Sequence, residues 1–96
     1  MPYFQPFSSM PKFAAGVSIN PASVAAATIS VQTFTVAGLT TDMIPVVGWP
    51  GTAEFADIRI ISARVSAKNT LELTFENFNG SSARDLATFT INVIGL

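Results

Sequence analysis

The acidic side chains are the first place to look for chemistry, because paired carboxylates perform acid–base catalysis and clustered ones bind calcium. They stand singly along the chain, as Asp42, Glu54, Asp57, Glu72, Glu76 and Asp85. Glu72 and Glu76 share one predicted strand, where they would be about 13 Å apart. Both alternate with apolar residues, which indicates a solvated strand face. We therefore predict no metal site and no catalytic carboxylate pair.

The chain contains no histidine and no cysteine. This composition excludes thiolate nucleophiles, histidine acid–base catalysis, disulfides and zinc sites built on either residue. Gly48 and Gly51 flank a Trp-Pro pair, but neither the lysine nor the helix of a phosphate-binding loop follows them. The sequence therefore predicts a protein that is not an enzyme and needs no cofactor.

The charged side chains are few and evenly scattered. They make up 11% of the residues, with a formal net charge of −1, against about 25% in typical soluble domains. The basic residues are Lys12, Arg59, Arg64, Lys68 and Arg84. Without a basic stripe, neither nucleic acid nor an anionic membrane is expected as a partner. A surface so poor in charge predicts that another subunit covers part of it.

Residues 1–14 differ from the rest of the chain and are named the N-terminal arm. Three prolines interrupt this segment, and its aromatic residues are Tyr3, Phe4, Phe7 and Phe13. Proline favours extended conformations and removes backbone donors. One reading is a disordered leader, but disordered segments are typically poor in aromatic residues. The favoured reading is an arm that docks on a neighbouring surface through these four side chains.

Trp49 is the fifth candidate contact residue. It lies between a glycine and a proline in a predicted loop. A lone tryptophan in this setting can fill the core, stack on a sugar or anchor a protein interface. Sugar sites usually add a cluster of polar side chains, which this loop lacks, so the core and interface readings stay open.

Residues 15–96 read as one all-β domain. Short β-type runs separated by turn signals predict strands at 17–19, 28–36, 43–47, 58–66, 70–76 and 87–94. The clearest alternation places Leu71, Leu73 and Phe75 on one face. Arg59 and Arg64 would fall on opposite faces of their strand unless a bulge intervenes. Six to seven short strands without an amphipathic helix predict a compact antiparallel β-sandwich, jelly-roll or immunoglobulin-like.

Several segments of the sequence resemble those of small β-rich virion proteins of tailed bacteriophages. They are a Thr- and Val-rich strand, a Gly-Leu turn, a Val-Ser-Ala-x-Asn-Thr hairpin, an aromatic-Asn-x-Asn loop and a closing strand. In this sequence they occupy residues 28–36, 38–39, 65–70, 75–79 and 88–93. The resemblance covers the chain from Val17 onward, about four-fifths of its length, and does not include the N-terminal arm.

The resemblance implies a capsid decoration or cement protein, a homotrimer made in the host cytoplasm and carried on the capsid surface of the virion. Its partners would be the major capsid protein and further copies of itself. The alternative is a receptor- or glycan-binding domain of a phage fibre or spike. No window of the sequence approaches the roughly 20 apolar residues of a membrane span, and the start lacks the pattern of a signal peptide.

Overall fold

The computed structural model describes residues 11–51 and 55–96. These residues form six strands: β1 (Phe13–Ile19), β2 (Ile29–Thr35), β3 (Pro45–Gly48), β4 (Ile58–Ala67), β5 (Thr70–Asn77) and β6 (Phe89–Gly95). The predicted all-β fold is confirmed, since the strands make two antiparallel sheets packed as a sandwich.

Each sheet contains three strands. The order is β1-β6-β3 in the first sheet and β2-β5-β4 in the second, and every neighbouring pair is antiparallel. The last strand of the chain is therefore central in the first sheet, where it holds together two strands that are distant in sequence. In the second sheet β5 is central and follows β4 through a tight hairpin.

The core lies between the sheets and is built from strand alternation. Leu71, Leu73 and Phe75 of β5 are fully buried, as their period of two predicts. The ring of Phe34 meets Phe75 edge to face at 6.4 Å between centroids. The other buried apolar residues are Ile19, Val24, Val36, Leu39, Ile58, Ile60, Val65, Leu86, Ile91 and Val93.

Two turns meet at one end of the sandwich, around Asn69. This residue has a positive φ of 60°, which the β4–β5 hairpin requires and asparagine tolerates better than most residues. Its side-chain oxygen accepts a hydrogen bond from the Gly38 nitrogen at 2.9 Å, and its own nitrogen donates to the Leu39 carbonyl at 2.9 Å. The Gly-Leu turn and the hairpin, recognised separately in the sequence, therefore form one unit.

The first strand is longer than the sequence indicates. It begins at Phe13 and pairs with β6 over its whole length, from Phe13 opposite Gly95 to Ile19 opposite Phe89. The last two residues assigned to the N-terminal arm therefore belong to the first sheet. Residues 1–10 lie outside the described part of the chain.

Candidate interaction surfaces

The outward side of the first sheet carries small and apolar side chains. We name it the β6 face. It consists of the alternate, outward residues of the three strands, continued by Ile44 and Leu96, which pair through two backbone hydrogen bonds of 2.9 and 3.0 Å. Its residues are Ala14, Gly16, Ser18, Ile44, Val46, Gly48, Thr90, Asn92, Ile94 and Leu96.

Four large apolar side chains stand next to one another on the β6 face. Ile44 is 67% exposed, Val46 50%, Leu96 45% and Ile94 39%. The strand register places Ala14, Ile94 and Val46 side by side in one row, with the Ile44–Leu96 pair in the adjacent row. None of the ten residues of this face carries a charged side chain, and the Lys12–Asp42 ion pair borders the face at the end where Ile44 and Leu96 lie.

A shallow groove runs along the β6 face between β1 and β6. It has a volume of about 450 Å³ and is lined by Ala14, Ala15, Gly16, Asn92, Val93 and Ile94. Small residues on β1 create it, because Ile94 then stands as a ridge above them. A side chain from outside could lie in this groove against apolar atoms.

The outward side of the second sheet, named the β5 face, is different. Its outward residues are Ile29, Val31, Thr33, Thr35, Arg59, Ile61, Ser62, Arg64, Thr70, Glu72, Thr74 and Glu76. Glu72 and Glu76 lie on it as the sequence predicts. Each is paired with an arginine of the neighbouring strand, at 2.6 Å for Arg64 and 3.0 Å for Arg59.

A β-bulge in β4 makes this pairing possible. The register shifts between Ile60 and Ser62, so Arg59 lies opposite Glu76 and Arg64 opposite Glu72 on the same face. The spacing of the two arginines alone predicts opposite faces, and the bulge is the exception that the sequence left open. The Arg59 guanidinium also lies over the Phe78 ring, 4.3 Å from its centroid.

The Arg64–Glu72 ion pair shifts the titration of both partners. The hydrogen bond from Arg64 holds the pKa of Glu72 below its ordinary value of 4.5, and the same contact raises the pKa of Arg64. Both effects favour the charged forms, so this pair stays ionised at neutral pH.

The apolar side chains of β2 do not make the β5 face equivalent to the β6 face. Ile29 and Val31 are exposed, but Ile29 lies in one row with the Arg59–Glu76 pair. A partner that buried Ile29 would also have to remove water from that pair, which costs free energy. The β6 face imposes no such cost among its described residues.

Trp49 joins an aromatic cluster at the end of β3. Its ring stacks on Phe55 with centroids 6.4 Å apart, and Phe55 meets Phe89 edge to face at 4.9 Å. A groove of about 180 Å³ beside it is lined by Val47, Trp49, Ile60, Ile61, Ser62 and Ala63. Trp49 thus extends the core at the seam between β3 and β4 while keeping 38% of its surface exposed. Among these lining residues Ser62 alone has a polar side chain, a poor environment for a sugar.

Phe13 does not occupy the position expected of an anchor. It lies on the inward side of β1 and packs against the core cluster. Its ring lies so close to Gly38 that a Cβ there would stand 3.0 Å from it, and Met43 lies beside it across Gly95. The residue therefore closes the end of the core. The other arm candidates, Tyr3, Phe4 and Phe7, lie outside the described residues.

A polar network that sequence reasoning missed joins the loops at the far end of β5. Asn77 is 1% exposed, and its amide nitrogen donates to the carbonyls of Val24, Ala25 and Ser82 at 3.0 to 3.3 Å. Asn79 donates its backbone nitrogen to the Asn77 side chain and its amide to Asp57.

Asp57 completes this network by pairing with Arg84. The hydrogen bond from Asn79, followed by that from Arg84, lowers the pKa of Asp57 below 3.8. The signal in the sequence is that Asn77 continues the inward positions of Leu71, Leu73 and Phe75, where an unpaired polar side chain would be costly. The network fixes loops and shows no open ligand position.

Comparison with known protein families, with curated proteins and with solved structures gives no significant match to this chain. Residues 11–51 and 55–96 contain no group of three or more Asp, Glu, His or Cys side chains that could bind a metal ion. The same residues contain no helix that is long and apolar enough to cross a membrane.

Proposed function

We propose that this chain is a structural protein that works by burying its β6 face against another protein subunit, as a decoration protein on the head of a tailed bacteriophage. The β6 face is the observation that carries the proposal. It groups Ile44, Val46, Ile94 and Leu96 on a regular sheet surface, and its described residues include no charged side chain.

The composition of this face is that of an interface centre. The buried centres of protein interfaces are poor in charge and rich in apolar side chains, because every charge buried there must be desolvated or paired. The flat, hydrogen-bonded sheet beneath the side chains keeps them in place, so little conformational entropy is lost when a partner covers them.

The virion setting is supported by the resemblance of residues 17–96 to small phage virion proteins. In that setting the chain acts without catalysis. A protein that binds the assembled capsid but not its free parts stabilises the capsid by RT ln(1 + [L]/Kd) for each binding site. A homotrimer that contacts several copies of the major capsid protein would bind far more tightly than one protomer.

Co-sedimentation with purified phage heads tests the proposal, with Val46→Lys and Val31→Lys as a matched pair. Both valines are about half exposed on opposite sheets. Val46→Lys should abolish binding, because it places a charge among the four large apolar side chains of the β6 face. Val31→Lys should leave binding unchanged, since it lies on β2 between the rows of Glu72 and Glu76. A wild-type protein that stays in the supernatant, or equal loss in both variants, contradicts the proposal.

A further inference from the structure

We infer that the β6 face of one protomer is covered by residues 1–11 of the N-terminal arm of a second copy. This inference rests on the proposed role of the β6 face as an interface and names the subunit that occupies it. Three observations carry it: the charge of the two surfaces, the direction in which the chain leaves β1, and the length of the arm.

Residues 1–11 of the arm and the residues of the β6 face have no charged side chains. Residues 1–11 include three aromatic residues, Tyr3, Phe4 and Phe7. They precede β1, which begins at Phe13. When an uncharged, aromatic segment covers an uncharged, apolar sheet, no buried charge is left unpaired, and aromatic rings are the side chains that anchor interfaces best.

The backbone at Lys12 continues the line of β1 past the end of β6. The Lys12 nitrogen donates to the Gly95 carbonyl at 2.7 Å, and its side chain pairs with Asp42 at 3.2 Å. The backbone is thus still held on the line of β1 where it passes the end of β6. To return to its own β6 face the chain would have to reverse at Pro11, so a neighbouring protomer is the more accessible partner.

The length of the arm suits the dimensions of the face. Eleven extended residues span about 36 Å, and a seven-residue strand such as β6 is about 23 Å long. The arm can therefore bridge a gap between protomers and still lie along the face. The groove beside Ile94, lined by Ala14 and Gly16, would take one of its side chains.

Exchange of arms would link protomers head to tail and account for an oligomer. Each protomer then gives one arm and receives one. Such a contact closes into a ring when the rotation between protomers allows it, and a ring presents several head-binding surfaces at once. The face and the arm are then two halves of one contact.

Sedimentation velocity on the free protein, without phage heads, tests the inference. The arm variant combines Tyr3→Ser, Phe4→Ser and Phe7→Ser in the full chain, and the face variant is Val46→Lys. We expect wild type and the Val31→Lys control to be oligomeric, and the arm and face variants each to be monomeric. A circular dichroism spectrum equal to that of wild type and a cooperative urea transition verify that each variant folds, while association raises the urea midpoint of wild type above theirs.

Mixing the two monomeric variants gives the decisive result. The arm variant keeps an intact face and the face variant keeps an intact arm, so an equimolar mixture should form a heterodimer. A chain that carries all four substitutions should associate with neither. Monomeric wild type, oligomeric arm variant, or a mixture that stays monomeric overturns the inference.

The outcomes separate this inference from the proposed function. If Val46→Lys protein remains oligomeric but no longer binds heads, the β6 face contacts the capsid directly and the arm exchange is wrong. If arm exchange occurs but wild type does not bind heads, the inference stands and the proposed virion role fails.

Discussion

The β5 face and the β6 face belong to the same sandwich, and each lies on a three-stranded sheet. They differ in the charge of their outward side chains. The β5 face carries two cross-strand ion pairs, Arg59–Glu76 and Arg64–Glu72, on a central strand. The β6 face carries isoleucine, leucine, valine and small residues in the corresponding outward positions. An average charged fraction of 11% therefore hides an uneven distribution. The comparison teaches that exposed apolar side chains stand beside ion pairs on one sheet and without them on the other, and the proposed interface rests on this difference.

The largest expected effect is on folding stability, and it tests whether β5 has one buried side and one solvent-exposed side. Phe75→Ala should lower the free energy of unfolding by about 3–5 kcal/mol, because this ring is fully buried and meets Phe34. Thr74→Ala, one residue earlier on the β5 face, should change it by less than about 0.5 kcal/mol. Urea melts of the two variants measure both values. Similar losses would mean that a partner also buries the β5 face, and the contrast between the faces would disappear.

A smaller effect is expected from salt on partner binding. Raising NaCl from about 0.05 to about 0.5 M screens exposed charges but not apolar contacts, so association of protomers through the β6 face should weaken less than about twofold. Sedimentation velocity at both salt concentrations measures this. A steep loss of affinity at high salt would mean that charged side chains make the contact. The interface would then lie on the β5 face, which carries Arg59 and Arg64.

The sandwich was predictable because its signals are local. Strand alternation at Leu71, Leu73 and Phe75 identifies the buried side of β5, and turn residues mark where strands end. The extension of β1 to Phe13 was not predictable, since Ala14 and Gly16 have little strand preference and gain their place from pairing with β6. That pairing joins residues 70 to 82 positions apart, which no local pattern encodes.

The candidate surfaces were predictable only in part. Phe13 and Trp49 are conspicuous in sequence as aromatic residues, but the structure packs Phe13 on the core and Trp49 on Phe55. The β6 face was missed because its members come from three separate segments and become neighbours through the register of β1, β3 and β6. One signal was present: Ile94 follows Thr90 and Asn92 at outward positions, where a polar residue would be the usual choice.

The smallest expected effect concerns acid stability, which should distinguish the two faces by titration. Because Arg64 lowers the pKa of Glu72 below 4.5 in the folded protein, the pair stabilises the fold above that pH and the contribution is lost as the pH falls through the folded value. Glu72→Gln should therefore reduce the difference between urea midpoints at about pH 7 and about pH 3, by a small amount because the pair is exposed. Thr90→Ser on the β6 face, which changes no titratable group, should leave that difference equal to wild type. An unchanged difference in Glu72→Gln would show that the Arg64–Glu72 pair contributes nothing to folding and that the charges of the β5 face serve hydration alone.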